Sequence, residues 1–169
     1  MALSTVTKNF TDGTIVLSDG TGTPLTCTVQ ADGGDFSLAG LQGKYLNAVS
    51  KYESRGRVTS IRRGARIYPT VSFTCQMRQF TSASSNQITD FLHQTGSYSA
   101  AVSTRSETDV FAFDITFTVE GTDHNDAADH TITLTDVVMT DFSFSEGDPN
   151  TFSFSGEVIG SISGIATEY

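Results

Sequence analysis

Apolar and polar residues alternate along most of this 169-residue chain, the pattern of strands that bury one face and wet the other. Thr14–Ser18 reads as a short strand closed by the turn dipeptide Asp19-Gly20. Leu25–Gln30 sets Leu25, Cys27 and Val29 against Thr26, Thr28 and Gln30; Ala31–Gly34 then turns, and Phe36–Leu38 begins a further strand. Within Ile67–Phe80, Val71, Phe73, Cys75 and Met77 share one side. The last third is clearest. Phe111, Phe113, Ile115, Phe117 and Val119 line one face of Val110–Glu120, with Asp114, Thr116, Thr118 and Glu120 on the other. Thr131–Thr135 points Ile132 and Leu134 inward. Asp141–Ser145 and Thr151–Ser155 flank the turn Glu146–Asn150, which predicts a hairpin with Phe142, Phe144, Phe152 and Phe154 on one core face and only Ser and Thr on the other.

Two segments break this period. Ser84-Ser85-Asn86-Gln87 has the form of a capping box, and Ile88, Phe91 and Leu92 then fall on one helical stripe. A helix is expected over Ser85–Thr95, stopped by a left-handed Gly96 and lying against a sheet. The segment Leu41–Ala65 fits neither period. Its weakly alternating halves, Leu46–Tyr52 and Arg57–Ile61, predict a two-stranded arm with its tip near Glu53-Ser54-Arg55-Gly56. An isolated hairpin is marginal in water, and this one has too few apolar residues to stand alone. It needs a partner.

Composition agrees with β structure: 25 Thr, 20 Ser and 12 Phe stand against only 3 Pro, in a chain of the length of one domain. The N-terminal MALSTVTKNF lacks the features of a signal peptide, and no apolar run approaches membrane-spanning length. The chain is therefore expected to stay in the compartment where it is made and to insert in no membrane. Cys27 and Cys75 have no C-x-x-C spacing; two half-buried thiols are expected, with a disulfide left open by the sequence.

Charge changes the picture. The net charge of −9 argues against nucleic-acid binding by the surface as a whole. Residues 44–66 nevertheless carry Lys44, Lys51, Arg55, Arg57, Arg62, Arg63 and Arg66 against Glu53, whereas residues 106–169 hold thirteen acids and no Lys or Arg. The basic segment has three readings: a protein-docking arm, a phosphate-binding patch, or a solvated hairpin. Docking fits best, because few aromatic stacking platforms (Tyr45, Tyr52, Tyr68) accompany the arginines.

No nucleophile elbow, P-loop, dinucleotide fingerprint or zinc spacing occurs in the chain. His93 falls near the helix end, where a packing or surface role suits it. His124 and His130 sit in the acidic stretch Asp123–His130, whose spacing matches no calcium loop and reads as solvated. No catalytic residue, metal or cofactor is expected, and the chain is not expected to be an enzyme. Its sheet edges carry few blocking devices, and a basic arm meeting an acidic flank suits head-to-tail self-association.

The order of a central basic arm, a short mid-chain helix and a late strand pair ending in DFSFSEGDPNTFSFSGEVIG resembles the major tail tube proteins of bacteriophages, related in fold to the inner tube of the type VI secretion system. The resemblance implies a mainly β domain spanning 1–169: two packed antiparallel sheets (β-sandwich or barrel), one short flanking helix and a long central hairpin arm at 44–66. It implies stacked rings of six subunits, virion localisation in the tail, assembly in the host bacterial cytoplasm, and contacts with itself and with other tail proteins at the tube ends. By position, Lys51, Arg55, Arg57, Arg62, Arg63 and Arg66 would form the inter-ring contact, and residues 1–12 and 160–169 would order on assembly. The polar face of Asp114, Thr116, Thr118 and Glu120 would line a lumen that passes double-stranded DNA, where acids and hydroxyls repel or ignore phosphate. Other expectations stay open: a different virion β-sandwich such as a decoration or tail-tip subunit, or a β-barrel holding a small apolar ligand.

Overall fold

The computed structural model describes residues 13–22, 24–27, 36–41, 47–76, 87–99, 109–119 and 128–165. Among these residues ten strands and one α-helix follow in order: β1 (Gly13–Ser18), β2 (Leu25–Cys27), β3 (Ser37–Ala39), β4 (Asn47–Ser54), β5 (Arg57–Arg66), β6 (Thr70–Gln76), α1 (Ile88–His93), β7 (Ala112–Val119), β8 (His130–Ser145), β9 (Thr151–Val158) and β10 (Ile162–Ser163). Eight of the strands form one antiparallel sheet in the order β2-β1-β7-β8-β9-β6-β3, with β10 paired to β8; β4 and β5 form a separate two-stranded sheet.

The chain is mainly β, with a single short helix among the described residues and a hairpin arm, as the alternation predicts. Among the described residues the large sheet is one continuous, curled layer that does not close into a barrel, with β2 and β3 at its edges. Its curl shows in the aromatic contacts. Phe36, beside β3, stacks on Phe117 of β7 at 4.2 Å between centroids, and Phe113 of β7 meets Phe154 of β9 at 5.6 Å.

The core follows strand parity. Ile15 and Leu17, Val71, Phe73 and Cys75, Phe113, Ile115, Phe117 and Val119, and Phe152 and Phe154 are all buried. Aromatic pairs such as Phe73–Phe154, at 5.0 Å, contribute about 0.5–1.5 kcal/mol each beyond the area they bury. Thr131–Thr135 and Asp141–Ser145, expected as separate strands, are parts of the sixteen-residue β8. A register shift between Met139 and Asp141 lets this strand bend and still pair with β9. The expected aromatic face is only partly core: Phe152 and Phe154 are buried, whereas Phe144 lies near the hairpin tip and is 47% exposed.

The helix is shorter than expected, at six residues, although its stripe of Ile88, Phe91 and Leu92 is buried as predicted. Gln87 occupies the N-cap position without a side-chain cap hydrogen bond, so the capping box is not made there; residues 84–86 lie outside the described ones. Gly96 is left-handed as expected, φ 56°, but the helix has already ended on a left-handed Gln94, φ 55°, two residues earlier. Asp90 explains the early ending. Its main-chain carbonyl accepts from the Thr95 N–H at 2.9 Å, and its carboxylate accepts from the Thr95 hydroxyl at 2.9 Å. Phe91 then meets Phe113 edge-on at 5.1 Å, which fixes the helix over the sheet.

Near the C-terminus, β10 pairs with β8, so Ile162, within the segment expected to order on assembly, is already buried in the single chain. Cys27 and Cys75 are free thiols, and both are buried where half-buried ones were expected, because each falls on the inward parity of its strand.

Candidate assembly site

The arm is built by its turn. Arg55 and Gly56 both have positive φ, 49° and 76°, the conformation of a two-residue type I′ hairpin whose twist matches the flanking strands. Gly56 suits this conformation; Arg55 adopts it against the ordinary preference of a side-chain-bearing residue. From the turn, β4 and β5 run for eight and ten residues, longer than the alternation indicates, and every residue of β5 is exposed. No other strand pairs with the arm among the described residues.

Register sorts the arm into two faces. Val49 lies opposite Arg63, Ser50 opposite Arg62, Lys51 opposite Ile61 and Tyr52 opposite Ser60; a shift follows, after which Glu53 lies opposite Val58 and Ser54 opposite Arg57. Directly opposed residues share a face. One face therefore carries Val49, Lys51, Glu53, Val58, Ile61 and Arg63. The other carries Ser50, Tyr52, Ser54, Arg57, Ser60 and Arg62. The shift makes Thr59 a bulge residue, and its hydroxyl donates to the Tyr52 carbonyl at 3.0 Å. On the second face the Arg62 guanidinium lies 5.7 Å from the Tyr52 ring centre. At the arm's base, Arg66 lies 5.1 Å from the Tyr68 ring centre.

The expected contact residues are thus divided. Lys51 and Arg63 stand on one face, Arg57 and Arg62 on the other, Arg55 at the turn and Arg66 at the base, all exposed. The apolar row of Val49, Val58 and Ile61, 49%, 50% and 64% exposed, is what sequence reasoning missed. Strict alternation sends positions 58 and 61 to opposite faces, and only the bulge at Thr59 reunites them. Lys44 and residues 1–12 lie outside the described residues.

The expected lumen residues fall on the outer face of the large sheet. Asp114, Thr116 and Thr118 are half-buried among neighbouring hydroxyls, with Ser18 opposite Asp114 and Thr133 opposite Thr116. The Asp114 carboxylate accepts from the Asp136 N–H at 3.1 Å, and the Thr118 and Thr131 hydroxyls are 3.3 Å apart. The Thr74 and Ser153 hydroxyls, 3.1 Å apart, continue the same surface. Glu120, His124 and most of the Asp123–His130 stretch lie outside the described residues; Asp129 and His130 are exposed. Among the described residues no cluster of His, Cys, Asp or Glu could hold a metal, and no helix is long and apolar enough to cross a membrane.

One buried polar group stands apart. Tyr98 packs edge-on against Phe91 at 5.1 Å, fully buried, and its hydroxyl has no hydrogen-bond partner among the described residues. Burial, with the nearby charges of Asp19, Cys27 and Asp90 adding to it, pushes its pKa up to about 12.

An open, curled antiparallel body with one clamped helix and a projecting two-stranded arm is the class this geometry defines. No family model matches the chain, and no curated protein matches it significantly. Solved structures share the fold. A chain from an extracellular contractile injection system, the PVC sheath–tube complex in the extended state, matches with a TM-score of 0.52 at 10% identity, over 97% of this chain and 100% of its own. A chain from the tube-terminating cap of the anti-feeding prophage gives 0.52 at 9% identity, over 98% and 95%. One from the sixfold-symmetrised baseplate of that prophage gives 0.51 at 9% identity, over 98% and 99%. At such identities the likeness establishes a common fold, extending over nearly the whole of each chain.

Proposed function

We propose that this protein is a structural subunit of a phage or phage-like tail tube. Copies associate edge to edge into rings of six, and the rings stack through the arm into a hollow tube that conducts double-stranded DNA into the host. The observation that carries this reading is the end-to-end correspondence with a chain of the sheath–tube complex, in a molecule whose arm projects bare into solvent. The open edges β2 and β3 supply ring-closing strands, and the basic arm complements the acidic residues 106–169 of a neighbour. The assembly does no chemistry. Its partners are further copies, the other tail proteins at the tube ends, and DNA in passage; its place is the virion tail, built in the host cytoplasm.

The outer face of Asp114, Thr116 and Thr118, together with Glu120, lines the bore in this reading. Hydroxyls there offer phosphate no counter-charge, and carboxylates repel it. Lysine at positions 114 and 120 should slow DNA delivery by normally assembled particles; undiminished delivery would remove these positions from the bore.

Electron microscopy of the concentrated protein tests the main reading. Rings or tubes with a bore wide enough for hydrated duplex are expected, and reversal of Arg55, Arg62 and Arg63 to Glu should stop growth. A persistent monomer, even with tail initiator present, would sink the tube. The matches to a tube-terminating cap and a baseplate favour a second reading, a terminal or adaptor ring. Such a subunit would close into rings that never elongate.

A further inference from the structure

We propose that the arm engages a second copy of this chain through one face only, the face of Val49, Val58 and Ile61, while the face of Tyr52, Arg57 and Arg62 stays in water. This rests on the reading of the arm as the contact between rings, and it adds which side of the arm makes that contact.

The two faces differ in the way a covered and an uncovered surface differ. Val49, Val58 and Ile61 are each about half exposed or more. All three are β-branched, and none belongs to the buried core cluster. Charged groups accompany this row: Lys51, Glu53 and Arg63 by register, with Arg66 towards the base. An apolar centre with a charged rim is the anatomy of a specific protein interface. Between Ser50 and Ser54, and across from them, the opposite face has no aliphatic side chain. Ser50, Ser54 and Ser60 alternate there with Arg57 and Arg62, and Tyr52 is partly covered by the Arg62 guanidinium. That face is already suited to water.

Charge identifies the occupant. Residues 47–66 carry six basic side chains and one acid, whereas residues 106–169 carry thirteen acids and no base. A second copy therefore brings the surface that complements the arm's rim. The bulge at Thr59 is the device that makes the face: it places Val58 with Ile61, and its hydroxyl bond to Tyr52 holds the offset.

A matched pair of substitutions tests this in the full chain. Ile61→Asp and Ser60→Asp alter adjacent positions on opposite faces and add the same negative charge to the arm. The critical concentration for assembly, read by sedimentation with microscopy of the products, should rise about tenfold or more for Ile61→Asp and less than about threefold for Ser60→Asp. A charge-neutral pair repeats the comparison: Ile61→Ser should weaken assembly and Tyr52→Ser should not. All three positions are exposed in the single chain, so circular dichroism of the monomers should be unchanged. Equal effects of the two members of either pair, or a stronger effect on the Tyr52 face, would overturn the face assignment while leaving the arm as the contact. Normal polymers from the Arg55, Arg62 and Arg63 reversal would remove the arm altogether, and a wild-type protein that never associates would remove the parent reading with it.

Discussion

The hairpin β8–β9 and the arm β4–β5 are both antiparallel pairs joined by short turns, and both carry exposed hydroxyls and charges on one side. They differ in what lies beneath. Phe152, Phe154 and Val158 of β9 are buried in the body, and β9 is paired on its other side by β6. Among the described residues the arm has no third strand, and its side chains from Val49 to Arg66 are all exposed. One hairpin is held by its own chain; the other is left for something outside it. Pairing alone does not make a hairpin part of a fold, because two strands stabilise one another weakly until an apolar face is removed from water. The comparison also locates function. The covered hairpin supplies rigidity, and the bare one supplies a surface.

The largest expected effect lies in the covered hairpin. Phe154→Ala removes a ring that touches both Phe73 and Phe113, and should cost about 3–5 kcal/mol of monomer stability in denaturant titration. A loss as small as that of an arm substitution would erase the contrast between the hairpins. Gly156→Ala comes next. An added Cβ would lie 2.9 Å from both the Val137 side chain and the Val138 carbonyl, so the β8–β9 pair must part slightly, at about 1–3 kcal/mol.

Alkali separates the regions by a different route. Tyr98 keeps its proton in the folded body up to about pH 12, whereas an ordinary tyrosine in the unfolded chain loses it from pH 10. Between these values the folded state binds more protons than the unfolded one, so stability falls as pH rises, by about 1.4 kcal/mol per unit from this group. Below pH 10 the contribution is constant. Tyr98→Phe should abolish this component of the slope without touching the arm, whose arginines stay charged throughout. The smallest effect is the most telling. Ile61→Ser should shift monomer stability by no more than about 0.5 kcal/mol, measured by thermal unfolding, although it removes a large apolar side chain. A loss of several kcal/mol would mean that the arm is packed against its own body.

Much of this was legible in advance. The buried faces of β1, β6, β7 and β9 follow from alternation, since a strand with one wet side must repeat every two residues. The arm was legible as an anomaly: a basic segment with neither period. Less visible were the helix end and the long β8. Gly96 looked like the stop, but the two bonds from Thr95 to Asp90 close the helix earlier, and they depend on a side-chain position that the pattern does not encode.

The candidate contact shows the same division within a single hairpin. Sequence alone determined that residues 44–66 are cationic, that residues 106–169 are anionic, and that the arm holds too little apolar surface to fold into a core. Only the tertiary structure decided which arm residues stand together. One bulge at Thr59 changes the parity of the stretch that follows it, as far as a second register shift at the base of the arm, and brings Val58 and Ile61 to a common face. Composition and period are properties of the chain order. A change of parity is set by which carbonyl and which N–H meet across two strands, and that exists only once the strands have paired.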